Sequence, residues 1–160
     1  MPTNAEKAIE IWKTLQGKAE GTGDWVKIEQ SRINQFADAT GDHQFIHVDP
    51  EKSAKLSPYK VTIAHGYLTL SLIPFLATSV PIAEPKAYEG LAAGVNYGLD
   101  KLRFPAPVKV NSRVRAHREI LSAELVNPNT IQLKQKITVE IEGESKPGCV
   151  AETLSRLVYT

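Results

Sequence analysis

The sequence predicts an α+β fold, because two hydrophobic periods follow one another along the chain. Residues 3–16 carry apolar side chains at helical spacing, and the strongly apolar residues 64–79 have the length of a buried helix. After Gly94 the period becomes two, which is typical of strands with one buried face. An antiparallel sheet of about five strands, wrapped around one long buried helix, satisfies this order.

Shorter elements fill the rest of the first half. Residues 24–28 alternate as a short strand does. Ser31 is expected to cap a short helix that Gly41 ends, and residues 51–56 are expected to form a helical turn after Pro50. An irregular loop therefore joins Gly41 to the buried helix, and such loops are where functional groups concentrate.

The second half reads as a series of strands separated by turn residues. A polar turn around Asn127 and a Pro147-Gly148 turn divide the last three of them. The predicted strands span residues 95–104, 108–121, 131–141 and 149–159. No repeat or linker interrupts the chain, so residues 1–160 are predicted to form a single domain.

Composition argues against several classes of protein. A net charge of +1 gives no field that would attract nucleic acid or an anionic membrane. The first residues are charged throughout and no apolar stretch runs uninterrupted, so neither a signal peptide nor a membrane span is predicted, and a cytoplasmic location is expected. The single cysteine, Cys149, is expected to be a small buried hydrophobe rather than a reactive thiol.

The densest group of chemically active residues lies between Ala39 and Pro50. Asp42 and His47 stand five residues apart there, just after a predicted helix end. Together they can hold and polarise one water, with the carboxylate accepting a proton and the imidazole orienting or donating. A turn aspartate and a structural histidine are the alternative interpretation of the same spacing.

A second candidate site is the start of the apolar helix, at Ala64-His65-Gly66. Free N–H groups and the helix dipole can stabilise developing negative charge there, and Gly66 would let a substrate carbonyl approach the backbone. The alternative is a glycine required only for packing. His65 is assigned to this site, with a structural role at the helix start.

Taken together, these motifs resemble the MaoC-like dehydratase family, which includes (R)-specific enoyl-CoA hydratases. Thr40-Gly41-Asp42, Ile46-His47 and Ala64-His65-Gly66 match the family motif in spacing, whereas Gln44-Phe45 stand where the family usually has Asn-Pro. Residues 24–122 are similar to the nodulation-protein-N-like branch of the family.

The resemblance implies a hot-dog fold and a hydro-lyase that adds water reversibly to enoyl thioesters. Asp42 and His47 match the catalytic pair, and Gly66 matches the glycine whose N–H binds the thioester oxygen. Ser71 matches a serine that supports the site, although its hydroxyl could instead bond within its own helix. Phe45 is expected to narrow the acyl pocket.

The resemblance also implies the partners. Coenzyme A or an acyl carrier protein would carry the substrate in fatty acid metabolism, no metal or redox cofactor is needed, and a homodimer is expected. A hot-dog thioesterase and a non-catalytic acyl-binding subunit stay open as alternatives.

Asn96 is a further site candidate. The basic residues Lys109, Arg113, Arg115 and Arg118 fit either a phosphate contact or a solvated strand face.

Overall fold

Six short α-helices and two short strands precede four long strands in the computed structural model, which describes residues 1–160. The helices are α1 (Asn4–Leu15), α2 (Gln30–Thr40), α3 (Phe45–Val48), α4 (Pro50–Leu56), α5 (Gly66–Ser71) and α6 (Ile73–Ala77), and a 3-10 helix spans Pro85–Tyr88. The strands are β1 (Ala19–Thr22), β2 (Val26–Lys27), β3 (Leu91–Arg103), β4 (Arg113–Asn127), β5 (Thr130–Ile141) and β6 (Cys149–Tyr159). This order confirms the predicted α+β class. No helix is both long enough and apolar enough to cross a membrane.

The strands form one antiparallel sheet in the order β1-β4-β5-β6-β3, and β2 pairs with another part of β4. β4, β5 and β6 follow one another as a meander, and β3 joins the sheet beside β6. The second edge of β3 has no partner strand within the chain. No strand is predicted at β1, because its residues lack apolar alternation; pairing with β4 forms it.

Alternate residues of β4, β5 and β6 bury one face of the sheet in two clusters. The larger cluster packs the strands against α2, α5 and α6, through residues that include Ile33, Leu68 and Leu76. The smaller cluster packs them against α1, whose buried residues are Ala5, Ala8, Ile9, Trp12 and Leu15. This apolar stripe confirms the predicted amphipathic helix.

The long helix predicted over residues 64–79 is two short helices. Leu72 separates α5 from α6, and Pro74 lies just beyond it. Proline has no N–H to donate to the carbonyl four residues earlier and its ring crowds that carbonyl, so a straight helix cannot continue through Pro74. Ala64 and His65 lie before the helix, with His65 as the residue that precedes its first turn.

Burial of this helical segment is also one-sided. Leu68, Ile73 and Leu76 are buried, whereas Tyr67 is 68% exposed and Phe75 is 51% exposed. The predicted buried helix therefore buries only one of its faces within this chain. Its exposed face is available to another molecule.

The ends of α2 show one confirmed and one wrong prediction. Gly41 ends the helix in the left-handed conformation, with φ of 83°, as its position predicts. The helix begins earlier than expected, however, since Glu29 rather than Ser31 is the capping residue. Glu29 makes no side-chain capping hydrogen bond, so the sequence carries no marker for this helix start.

Candidate active site

Asp42 lies on the loop that follows α2. Gly41 turns the chain there and donates its N–H to the Ala37 carbonyl at 2.8 Å. The Asp42 Oδ1 atom accepts the Gln44 N–H at 3.2 Å, as aspartate does in a turn. Its side chain is otherwise exposed and forms no ion pair within the chain. The carboxylate is therefore oriented by the turn and remains available to a ligand.

His47 lies on the single turn of α3 and is only 7% exposed. Its Nδ1 is 2.7 Å from the Ile63 carbonyl oxygen. A carbonyl oxygen only accepts, so Nδ1 carries the proton and Nε2 of the neutral ring is the acceptor. Burial lowers the pKa of the His47 imidazole below its usual range, and the neighbouring His65 lowers it further. At neutral pH the ring therefore offers a free acceptor nitrogen.

His65 contacts both members of this pair. Its ring stacks on the His47 ring with centroids 3.8 Å apart and planes inclined by 23°. Its Nε2 donates to the Asp42 backbone carbonyl at 2.9 Å, while its Nδ1 is buried without a partner. The residue is 3% exposed. These contacts join the start of α5 to the loop that carries Asp42.

The spacing of these three side chains suits a bound water. One ligand atom from each of Asp42, His47 and His65 lies within 4.8 Å of the others. A water that donates two hydrogen bonds of ordinary length at a tetrahedral angle spans acceptors about 4.6 Å apart. Asp42 and His47 can therefore share one water molecule.

The same cluster is poorly arranged for a metal ion. Ring lone pairs lie in the plane of an imidazole, so two nearly parallel stacked rings direct them side by side rather than to one point. One nitrogen of His47 and one of His65 are also already hydrogen-bonded to carbonyl groups. The geometry therefore favours a water between the groups over a coordinated cation.

Gly66 is the first residue of α5, so its N–H has no acceptor within the helix. A Cβ built on this residue would lie 2.9 Å from Cδ2 of Phe104 and 3.0 Å from Cε2. Close packing of the Phe104 ring is thus one reason for glycine here. The N–H of Gly66 is also free to bind a ligand. The structure is therefore compatible both with a glycine required for packing and with one that binds a substrate carbonyl.

Ser71 lies one and a half turns further along α5. Its hydroxyl donates to the Tyr67 carbonyl at 2.6 Å, which is the bond within its own helix considered above. Ser71 and Asn96 both line a cavity of about 470 Å³ between the α5–α6 segment and the β3–β6 edge. The other lining residues are Leu70, Ile73, Pro74, Tyr97, Gly98, Leu99, Thr153 and Leu154.

The remaining histidine and aromatic candidates are not part of this cavity. Phe45 lies on α3, with the Lys52 ammonium 4.8 Å above its ring, and does not line the cavity. His43 is exposed and bonds Asp38 at 2.8 Å. Hydrogen bonding to Asp38 raises the pKa of His43, in contrast to His47.

Most of the basic residues are paired with acids on the sheet. Arg115 bonds Glu140 at 2.7 Å, Arg113 lies 3.2 Å from Glu142, and Arg118 pairs with a buried glutamate of β1. These pairs favour the solvated-strand interpretation of Arg113 and Arg115 over a phosphate contact. Cys149 is fully buried, and burial raises the pKa of its thiol to about 11, so it is unreactive as predicted.

One hydrogen bond to the Asp42–His47 pair is indicated by no local pattern in the sequence. The side-chain amide of Gln30, at the start of α2, donates to the His47 backbone carbonyl at 2.7 Å. A surface glutamine in an amphipathic helix gives no signal of this kind. Only the fold brings the two residues together, across seventeen positions of sequence.

Comparisons with known proteins find relatives along most of the chain. The model of the MaoC-like domain family matches residues 13–143. The chain is 49% identical over 142 residues to 3-hydroxyacyl-thioester dehydratase Z of Mycobacterium tuberculosis, covering 89% of this chain and 90% of that protein. It is 42% identical to nodulation protein N of Rhizobium meliloti, covering 89% and 86%.

Solved structures show the same fold. An R-hydratase from Pseudomonas aeruginosa superposes with a TM-score of 0.66 at 21% identity, covering 91% of this chain and 83% of that one. This neighbour confirms the hot-dog architecture that the sequence predicts. Because the family model spans most of the chain and the sequence identities are high over nearly its full length, this chain belongs to the MaoC-like domain family.

Proposed function

We propose that this chain is a hydro-lyase that reversibly hydrates trans-2-enoyl thioesters to (R)-3-hydroxyacyl thioesters, with coenzyme A or an acyl carrier protein as carrier. The observation that carries the proposal is that a carboxylate oxygen of Asp42 lies within 4.8 Å of a ring nitrogen of His47, whose Nδ1–H bond to the Ile63 carbonyl leaves Nε2 as an acceptor. The dehydratase activity in the name of the mycobacterial relative, at 49% identity, supports it.

The chemistry begins with a water held between the two side chains. It donates one hydrogen bond to the Asp42 carboxylate and the other to Nε2 of His47, which leaves a lone pair of its oxygen for the substrate. Water has a pKa of about 15.7, so a base must take its proton as it attacks. Asp42 takes that proton while the oxygen bonds to Cβ of the enoyl group.

Electron density then moves through the conjugated system to the thioester oxygen. The free Gly66 N–H at the start of α5 is the donor that stabilises this enolate. Removal of one such donor typically costs about 3 kcal/mol in transition-state stabilisation. The proton returns to Cα, so that one water is consumed and no other reagent is needed; the reverse sequence eliminates water.

The acyl chain is assigned to the cavity beside Ser71 and Asn96. Its volume of about 470 Å³ is suited to a small ligand, and half of its lining residues are apolar. Gly66 does not line this cavity, but it begins the same helix, and five residues of helix advance about 7.5 Å from Gly66 to Ser71. In this assignment, an acyl chain whose thioester oxygen meets Gly66 runs along α5 to reach the cavity.

We assign a homodimer to this protein on the basis of the free edge of β3. The strand is thirteen residues long, and Val95, Tyr97 and Leu99 on it are 51%, 60% and 41% exposed. A long apolar edge invites pairing with another strand. A second copy paired along β3 would also cover the exposed Tyr67 and Phe75, and its residues would close the cavity.

The test is the loss of enoyl absorbance with crotonyl-CoA and with a medium-chain enoyl-CoA. We expect Asp42→Asn and His47→Ala to lower kcat by about 10²- to 10⁴-fold, the usual contribution of a positioned acid or base. His43→Ala is the matched control, since the side chain of this exposed histidine bonds Asp38 rather than the proposed pair, and the variant should keep full activity. Free thiol release with no hydration would instead indicate a thioesterase, and full activity in both variants would refute the assigned pair.

A further inference from the structure

The side-chain amide of Gln30 uses all of its hydrogen-bonding groups. Its Nε2 donates to the His47 carbonyl at 2.7 Å and to Oδ1 of Asn34 at 2.9 Å. Its Oε1 accepts the hydroxyl of Thr62. An amide has two N–H donors and one oxygen, and here each has a partner, so the orientation of the group is fixed.

These bonds belong to a closed loop around His47. Thr62 is 1% exposed and immediately precedes Ile63. The Ile63 N–H donates to the Ile46 carbonyl at 2.9 Å, and the Ile63 carbonyl accepts Nδ1 of His47 at 2.7 Å. Gln30 thus holds the backbone of His47 directly, and through Thr62 it also holds the segment that supplies the acceptor for the His47 ring.

We propose that Gln30 is a positioning residue for the hydration reaction: it fixes the backbone of His47 and the Ile63 carbonyl relative to each other, so that the ring keeps its Nδ1–H tautomer and directs Nε2 at the water. The inference rests on the proposed function. Misplacement of a reacting group by about 1 Å can cost about 10²-fold in rate. Gln30 touches neither substrate nor water in this role; it acts through His47.

The experiment compares Gln30→Leu with a matched control, Gln16→Leu. Gln16 also makes one side-chain bond to backbone, to the Ala123 N–H at 3.0 Å, but in the cluster around α1. The readouts are the tautomer of His47 from long-range ¹H–¹⁵N NMR, and kcat and KM with crotonyl-CoA. We expect Gln30→Leu to show mixed tautomers and a kcat about 10-fold lower, with KM changed by less than about twofold.

A second variant, Thr62→Val, removes the hydroxyl that orients the Gln30 amide while keeping the shape of the side chain. It should show a smaller change of the same kind, which keeps the test available if Gln30→Leu does not fold. Gln16→Leu should keep the single His47 tautomer and full kcat.

The proposal is overturned if His47 keeps the pure Nδ1–H tautomer in both Gln30→Leu and Thr62→Val, or if kcat falls no more than in Gln16→Leu. NMR detects the His47 tautomer without turnover, so the role of Gln30 can be tested separately from the proposed hydration activity. A wild-type chain with an ordered His47 and no hydration activity contradicts the proposed function, whereas an undisturbed tautomer in the variants contradicts the role of Gln30.

Discussion

Replacement of Gly66 by alanine separates the packing role of this residue from the role proposed for it in the reaction. The new Cβ would lie 2.9 to 3.1 Å from three atoms of the Phe104 ring. The φ angle of Gly66 lies outside the left-handed region, so the backbone accepts alanine without strain and the steric contact is the main cost. Overpacking of this kind typically costs about 1–3 kcal/mol.

Two features place the expected cost at the lower end of that range. Phe104 is 40% exposed, so its ring can tilt towards solvent and relieve part of the contact. Alanine is also the better helix former by up to about 1 kcal/mol. We therefore expect Gly66→Ala to lower the free energy of unfolding by about 1 kcal/mol, equivalent to a fall of about 2–4 °C in Tm for a chain of this size.

The effect on catalysis should be much larger than the effect on stability. A methyl group at the start of α5 obstructs the approach of a thioester oxygen to the Gly66 N–H, and loss of one oxyanion donor typically costs about 10²- to 10³-fold in kcat. The assays are urea unfolding and steady-state hydration of crotonyl-CoA. Gly66→Ala combined with Phe104→Leu removes the steric contact, and Phe104→Leu alone is the control.

In the combined variant, stability should return to that of the control while kcat stays low. Full activity in Gly66→Ala, with the stability loss present, would show that glycine is needed only for packing and would refute its assignment to the oxyanion. An unchanged Tm in Gly66→Ala would refute the steric reasoning itself.

Three other predictions concern pH, oligomeric state and the second core cluster. In the proposed reaction His47 must be neutral, and burial lowers its pKa, so kcat/KM should fall only as pH drops below about 6.5, the ordinary histidine value. The free energy of unfolding should fall in the same window, because the unfolded chain binds that proton more readily. An acid limb centred above this pH in a pH–rate profile would contradict the assignment. Leu99→Asp places a charge on the free β3 edge and should give a light-scattering mass near 17.6 kDa, whereas the unmodified chain should give twice that mass. A monomeric wild type would contradict the homodimer. Trp12→Phe removes a fully buried indole and its 3.0 Å hydrogen bond to the Tyr159 hydroxyl. The free energy of unfolding, measured in urea, should fall by about 2–3 kcal/mol. A loss under about 1 kcal/mol would contradict the packing described for α1.

The parts of the fold that could be predicted are those whose local pattern and tertiary environment agree. The stripe of α1 and the alternation of β5 each bury one face, so their hydrophobic period reports their contacts. The start of α2 and the strand β1 have no such pattern. No side chain caps the helix, and the strand forms through its pairing with β4. Pro74 is a local signal for the break at Leu72, whereas the apolar run on both sides of it favours one continuous helix.

For the candidate site, the sequence could identify the residue types but not how they are held. Asp42 and His47 are close in sequence, and their motif carries the family resemblance. The stacking of His65 on His47 and the bond from Gln30 depend on segments brought together by the sheet and its loops. Contacts between residues this far apart in sequence produce no recognisable spacing pattern, so only the structure reveals them.

Asp42 and His47 are held in different ways, and the difference suits the tasks proposed for them. His47 is buried, with its ring and its backbone each tied by a short hydrogen bond, so the direction of its acceptor nitrogen is set before substrate arrives. Asp42 is exposed and tied by a single turn bond and by its backbone contact with His65. Exposure leaves the carboxylate accessible to water and substrate, but bulk water weakens every interaction it makes. A carboxylate that is open to solvent in one chain therefore needs a cover to act on one chosen water, and the acyl thioester together with a second subunit along β3 would supply it. On this reasoning, substrate binding and pairing of the chains strengthen the same step, the transfer of a proton from the held water to Asp42.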